Sequence, residues 1–114
     1  ENRLIFQSDK KWLYPLFDFE NFLIENNSYS PSELMVYDKI VGRAAALMFA
    51  YLNIKTVRTT TMSIRARQIF KHYKIDFECE QEVDKISCRT EEILQNEFNA
   101  GNAYRILKSR AGLL

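Results

Sequence analysis

Residues 40–52, with the sequence IVGRAAALMFAYL, decide the fold. This segment is apolar on almost every side of a helix, and Arg43 is its only charged residue. Its small residues, Gly42 and the alanines 44–46, allow other backbones to approach closely. A helix that is apolar all round is usually buried, here against a sheet. We therefore predict a central helix over residues 40–52 with Asp38 as its N-cap.

Strand patterns and helix patterns alternate along the rest of the chain. Alternating or β-branched residues predict strands at residues 3–7, 33–37, 55–61 and 75–80. Apolar residues at helical spacing predict helices that begin at Pro15, at Ser63, at Ser87 or Thr90, and at Asn102. Strands separated by helices pack as one sheet with helices on its faces. The sequence thus predicts one α/β domain over residues 1–114 that is built as a three-layer sandwich.

Composition narrows the class of protein. Sixteen Lys and Arg against fifteen Asp and Glu give a net charge of +1, whereas nucleic-acid binders usually carry a clear basic excess. The longest apolar stretch is about half of the ~20 residues that span a bilayer, so we expect no membrane segment. Two cysteines nine residues apart allow one disulfide at most. With no secretion leader in the sequence, we expect a reduced, cytoplasmic protein.

Several motifs resemble, in order along the chain, those of a small prokaryotic family of unknown function. Residues 38–46, Asp-Lys-Ile-Val-Gly-Arg-Ala-Ala-Ala, are similar to the family signature Asp-Lys-Val-Val-Gly-Lys-Ala-Ala-Ala. The supporting motifs are Ser8 with Tyr14-Pro15-Leu16, Ser63-Ile64-Arg65-Ala66, Lys74-Ile75-Asp76-Phe77 and Cys88-Arg89-Thr90-Glu91. That family is placed in the cytidine deaminase-like superfamily, and the resemblance implies that fold, with about four to five strands in a mixed sheet flanked by helices. In the last motif, Arg89 stands where the family has proline.

Zinc-dependent deamination is the activity that such a fold suggests, and the residues argue against it. The reaction needs three His or Cys zinc ligands and a Glu, in His-x-Glu and Pro-Cys-x-x-Cys motifs. This chain has one histidine and no Cys-x-x-Cys, and residues 38–40 (Asp-Lys-Ile) stand where His-x-Glu would lie. His72 is interpreted as a residue at a helix end and Cys79 as a small core residue. We expect no metal site, no cofactor and no zinc-dependent deaminase activity.

Polar residues at the predicted helix starts are the candidates for a ligand site. Open α/β sheets bind ligands beyond the carboxyl ends of their strands, where Asp38 and Lys39 are predicted to lie. Asp38 is equally well explained as an N-cap, and Lys39 as a solvated side chain. Ser63 is mainly a helix cap and a lesser candidate for the same pocket.

Cys88 is the candidate nucleophile. With Ser87 as the cap, Cys88 falls in the first turn of a helix, where the helix dipole and Arg89 would favour its thiolate. Glu91, one turn along, is the candidate base. The alternative is a cysteine without a chemical role.

Two functions therefore stay open. In the first, the protein is a binding module in which Asp38, Lys39, Ser63 and Cys88 hold a small polar ligand, with a nucleotide-like molecule as one candidate, or a protein partner. In the second, it is a metal-independent enzyme that uses Cys88, Asp38 and Glu91 as catalytic residues. Aromatic side chains around the first helix also raise the alternative of a subunit contact, and hence of a homodimer.

Overall fold

The computed structural model describes residues 3–113, which form three strands and five α-helices. A short 3-10 turn lies at Pro31–Glu33. The other elements are α1 (Tyr14–Glu25), β1 (Met35–Val41), α2 (Arg43–Tyr51), β2 (Thr56–Ser63), α3 (Ile64–His72), β3 (Asp76–Val83), α4 (Arg89–Ile93) and α5 (Ala100–Arg110). Among these residues no helix is long and apolar enough to cross a membrane.

The sheet is entirely parallel, with the strand order β1-β2-β3. The predicted three-layer sandwich with four to five strands in a mixed sheet is therefore wrong. The error begins at residues 3–7, which form no strand and leave Leu4 73% exposed. Phe6 packs instead against the rings of Phe19 and Phe22 of α1, at centroid distances of 5.2 and 5.3 Å. Residues 3–7 thus contact α1 through an aromatic side chain and do not pair with the sheet.

The helices gather around α2, which is buried from Arg43 to Phe49 as the apolar sequence predicts. One side of α2 meets β1, and its other neighbours are α3, α4 and α5. Helix α1 is linked to α5 through Phe17, whose ring lies 6.2 Å from that of Tyr104. All these contacts lie on one side of the sheet, and the hydrophobic core is between that side of the sheet and the helices.

The start of α2 differs from the prediction. Strand β1 continues through Ile40 and Val41, which pair with Thr61 and Met62 of β2. The helix then begins at Arg43 with Gly42 as its N-cap, so the predicted cap at Asp38 is wrong. The reason is that β-branched residues favour the extended strand, and pairing with β2 holds them in it.

The other helix starts are closer to the predictions. Ser63 caps α3 as expected, because its hydroxyl accepts the Ala66 N–H at 3.0 Å. The cap of α4 is Cys88 rather than Ser87 or Thr90. Helix α5 begins at Ala100 instead of Asn102, and its cap Asn99 accepts the Asn102 N–H at 2.8 Å.

One level of the sheet is bridged by side chains. Backbone pairing includes the level of Asp38, Thr59 and Cys79. It is interrupted at the next residue of each strand and resumes at the level of Ile40 and Thr61. Between these levels, the Thr59 hydroxyl donates to the carbonyl oxygens of Lys39 and Thr61, at 3.2 and 3.1 Å. The backbone N–H groups of Lys39 and Ile40 act to lower the pKa of the Asp38 carboxyl at this level. The Thr59 hydroxyl thus links β2 to β1 at the level where regular backbone pairing is interrupted.

The sheet has one covered face and one uncovered face. Val57 and Phe77 face the helices, and the Phe77 ring lies 5.3 Å from that of Phe70 in α3. On the opposite side, Met35 and Tyr37 are 59% and 64% exposed. We call this side the open face; alternation of side chains along each strand up to the interrupted level assigns to it Met35, Tyr37 and Lys39 of β1, Thr56, Arg58 and Thr60 of β2, and Asp76, Glu78 and Glu80 of β3.

Candidate functional site

A buried carboxylate organises the carboxyl ends of the strands. Glu91 of α4 is fully buried; its Oε1 accepts the Arg43 N–H at 2.6 Å and its Oε2 accepts the Ile86 N–H at 2.9 Å. The side chain of Glu91 thereby caps α2, whose own cap Gly42 offers no side-chain acceptor. A Cβ on Gly42 would lie 2.8 Å from Oε1, so a larger residue at this position would push the carboxylate away from the start of the helix.

Arg43 places a positive charge inside the core. Its guanidinium donates to the carbonyl oxygen of Glu97 from Nε and Nη2, at 3.2 and 2.7 Å. Nη1 donates to the Arg65 carbonyl at 3.0 Å and to Gln68 Oε1 at 2.7 Å. The guanidinium carbon also lies 4.5 Å from the centre of the Phe98 ring. Burial lowers the pKa of Arg43, and the negative charge of Glu91 opposes that shift.

The sequence contains a signal for this role, although Arg43 was not among the predicted site residues. Arg43 is the only charge in an otherwise apolar helix. A charge buried without partners is very costly, so such a residue predicts that several acceptors converge on it. The acceptors could not be named from sequence, because they come from α3 and from the segment that follows α4.

Two hollows meet at Cys88, which is exposed and whose Sγ lies 3.2 Å from Thr90 Oγ1. The smaller hollow measures about 250 Å³ and is lined by Lys85, Ile86, Ser87, Cys88, Arg89 and Glu92. The larger measures about 410 Å³ and is lined by Trp12, Tyr14, Cys88, Arg89, Thr90 and Arg110. We call the larger one the aromatic hollow.

The aromatic hollow combines positive charge with exposed rings. Among residues 3–113, no carboxylate lies within 4.0 Å of the Arg89 or Arg110 guanidinium. The Trp12 ring meets that of Tyr14 edge-on, at a centroid distance of 5.3 Å. Trp12 has a φ of +61°, in the left-handed region that bulky residues rarely adopt. Trp12 is 43% exposed and lines the hollow.

The other predicted ligand residues lie away from both hollows. Asp38 is half-buried in the middle of β1, and burial raises the pKa of its carboxyl to about 6, although the N–H groups of Lys39 and Ile40 act in the opposite direction. Lys39 lies on the open face. Ser63 is fully buried, and its hydroxyl is engaged in capping α3. Of the four residues, the hollows contain only Cys88.

The three candidate catalytic residues are engaged in different places. Both oxygens of Glu91 accept backbone N–H groups, and Asp38 is within the sheet. Cys88 is at the surface, so the geometry does not assemble the three as a nucleophile with its base. Within the part of the chain that the structure describes, no group of three or more His, Cys, Asp or Glu is placed to hold a metal ion. His72 lies exposed in the last turn of α3, and Cys79 is half-buried beside the core.

Comparisons with known proteins identify relatives without an assigned activity. Residues 1–109 match the family model described as TM1506, domain of unknown function (DUF1893). The fold is similar to the crystal structure of a DUF1893 family protein (TM1506) from Thermotoga maritima, with a TM-score of 0.73 and 20% sequence identity over 93% of this chain and 74% of that one. None of the curated proteins matches the sequence.

Proposed function

The chain belongs to the DUF1893 (TM1506) family of domains of unknown function, and we propose that it is a binding module for a small anionic ligand that carries a flat ring. The aromatic hollow is the binding site in this proposal. The observation that carries it is the presence, in one hollow, of an exposed tryptophan and two guanidiniums that pair with no carboxylate among residues 3–113.

Each part of the hollow matches one part of such a ligand. Guanidiniums present several donors in a plane and bind phosphates and carboxylates through paired hydrogen bonds, which is the role of Arg89 and Arg110. Trp12 and Tyr14 offer ring faces and edges against which a flat apolar group can stack. Thr90, whose hydroxyl lies 3.2 Å from Cys88 Sγ, also lines the hollow. A volume of about 410 Å³ is within the range of sites for small molecules and cofactors.

A nucleoside monophosphate has this combination of a flat ring and an anion. The ligand class also agrees with the resemblance of the motifs to a deaminase-like superfamily, a placement that stays a prediction. The roles of Asp38, Lys39 and Ser63 as ligand contacts likewise stay predictions, since these residues lie outside the aromatic hollow.

Intrinsic fluorescence tests the proposal, because Trp12 is the chain's single tryptophan and lines the hollow. AMP is titrated into the protein while Trp12 emission is followed, with adenosine and inorganic phosphate as the separate ring and anion. We expect saturable quenching by AMP, and weaker binding of either part alone. Raising the salt concentration should weaken AMP binding, because surface charges are screened.

Matched arginine variants locate the site. Arg89→Gln and Arg110→Gln should each weaken AMP binding by about tenfold, the loss expected for a charged hydrogen bond. Arg105→Gln serves as the control. Arg105 is an exposed arginine that lies in α5, as Arg110 does, but outside both hollows. The proposal fails if AMP leaves Trp12 emission unchanged, or if all three variants bind as the wild type does.

A further inference from the structure

The open face of the sheet is an unusual surface for an all-parallel sheet. Parallel sheets occur almost only with both faces covered. Here α2 and α3 cover one face, while Met35 and Tyr37 stay more than half exposed on the other. The cavities at Cys88 lie elsewhere, so this surface is separate from the proposed ligand site.

Charge is distributed across the open face from one edge to the other. Between the paired levels Asp38–Thr59–Cys79 and Ile40–Thr61–Gln81, β1 contributes Lys39, β2 contributes Thr60 and β3 contributes Glu80. Along β3, the carboxylates of Asp76 and Glu78 extend the acidic edge. The face is thus basic and apolar along β1 and acidic along β3.

The middle strand is already neutralised within the chain. Arg58 of β2 lies 3.4 Å from Asp76 and 3.1 Å from Glu78. The positive charge of Arg58 is therefore offset within the chain and attracts a partner only weakly. The charges left to act on a partner are Lys39 at one edge and, at the other edge, Glu80 together with the one negative charge by which Asp76 and Glu78 exceed Arg58.

We propose that the open face is the contact of a homodimer in which two copies pack face to face about a two-fold axis parallel to the strands. With such an axis, residues at a given level along the strands face residues at the same level in the second copy. Strand β1 of one copy lies opposite β3 of the second copy. The axis therefore sets Lys39 of one copy opposite Glu80 of the second copy, and Glu80 opposite Lys39. A contact between identical patches is the usual form of a symmetric dimer.

The charge distribution distinguishes this arrangement from the other two-fold packing. An axis across the strands would place β3 on β3 and bring the acidic residues Asp76, Glu78 and Glu80 against their own copies. Like charges across an interface are repulsive. With the axis along the strands, the charged residue of this face that meets its own copy is Arg58, and each Arg58 is neutralised by Asp76 and Glu78 of its own chain.

The dimensions of the face predict a weak dimer. Strands of seven to eight residues give a length of about 25 Å, and three strands give a width of about 14 Å. Two such patches together cover about 700 Å², less than the roughly 1,200 Å² of a standard stable interface, so the contact is a transient one. We therefore expect a dissociation constant in the micromolar range or above, and a dimer that responds to salt.

Sedimentation equilibrium over about 10 µM to about 1 mM tests the proposal with a charge exchange. Lys39→Glu and Glu80→Lys each place two like-charged pairs in the dimer and should each weaken it by about tenfold or more. The double variant carrying both changes restores opposite pairs and should return the dissociation constant to near that of the wild type.

Lys71→Glu is the control, because Lys71 is an exposed lysine of α3, away from the open face. Circular dichroism confirms that each variant is folded. A wild-type protein that stays monomeric at all concentrations would overturn the proposal. So would equal dissociation constants for all four variants, or a double variant weaker than either single one.

Discussion

The Glu91 carboxylate and the Arg43 backbone nitrogen lie 2.6 Å apart although 48 residues separate them in the sequence. A helix usually takes its N-cap from the residue just before it. In α2 the cap comes instead from a later helix, so the start of the central helix depends on the folding of α4. The stability of the core is therefore coupled to the carboxyl-terminal segment of the chain.

Replacing Glu91 by Gln should destabilise the protein by about 2–4 kcal/mol. The glutamine amide has only one acceptor oxygen, so its NH₂ would face one of the two N–H donors, Arg43 or Ile86, that Glu91 now satisfies. Urea unfolding measures the effect. The control is Glu92→Gln, because Glu92 is exposed and only 3.9 Å from Lys85; we expect a change within about 0.5 kcal/mol. Equal midpoints for the two variants would contradict the capping role.

Gly42→Ala should cost about 1–3 kcal/mol, the usual penalty for overpacking. The new Cβ would lie 2.8 Å from Glu91 Oε1 and 3.3 Å from Ile86 Cγ1, so the carboxylate must move away from the helix. Gly101→Ala is the matched control, since the Cβ there meets the capping atom Asn99 Oδ1 at the longer distance of 3.3 Å, Asn99 is exposed and can adjust, and alanine favours the helix. Thermal unfolding should separate the two variants clearly, and a Gly42→Ala protein as stable as Gly101→Ala would show that the contact is relieved without cost.

Arg43→Lys should be strongly destabilising, by about 3 kcal/mol or more, although it keeps the charge. A lysine ammonium is a compact donor and cannot reach the carbonyl of Glu97 and the acceptors on Arg65 and Gln68 together. Chemical unfolding of Arg43→Lys beside Arg67→Lys gives the comparison, because Arg67 is partly exposed and pairs with Glu82 at 2.9 Å. Similar losses in the two variants would mean that the charge alone matters.

Asp38 should make stability fall as the pH rises from about 4 to about 6. Its pKa is about 6 in the folded protein, above the ordinary value of 3.8, so the folded state binds more protons than the unfolded state in this window. Asp38→Asn removes the penalty and should stabilise the protein at pH 7 by roughly 2 kcal/mol, with little effect at pH 4. Unfolding curves at the two pH values check the sign. A variant that is less stable than the wild type at pH 7 would show that the ionised carboxylate is favourable there.

The elements were predictable from sequence where local patterns determine them. Ser63 was identified as a cap, and α2 as a buried helix, because capping chemistry and an apolar circumference are local properties. The first strand was not, because whether residues 3–7 pair with a sheet or lie against α1 depends on which partner is available. The start of α2 was misplaced because pairing with β2 extends β1 past Asp38.

The candidate site shows the same division. Cys88 and Arg89 were singled out by their motif, and the structure places both in the two hollows. Trp12 and Arg110 come to the aromatic hollow from distant parts of the chain, and no spacing in the sequence brings them together. Glu91 looked like a base next to a cysteine, whereas its partners are backbone groups that only the three-dimensional arrangement shows.

The acceptors around Arg43 also bear on how the chain folds during synthesis. A ribosome releases a protein from its amino end, and domains generally fold as units once they are complete. Until Glu97 has emerged, burial of α2 would leave the guanidinium without two of its four hydrogen bonds. We therefore expect the segment from β1 to β3 to stay incompletely folded until the residues up to Glu97 have been synthesised. A nascent chain that stops before Glu97 would be a substrate for chaperones and proteases instead of a smaller stable protein.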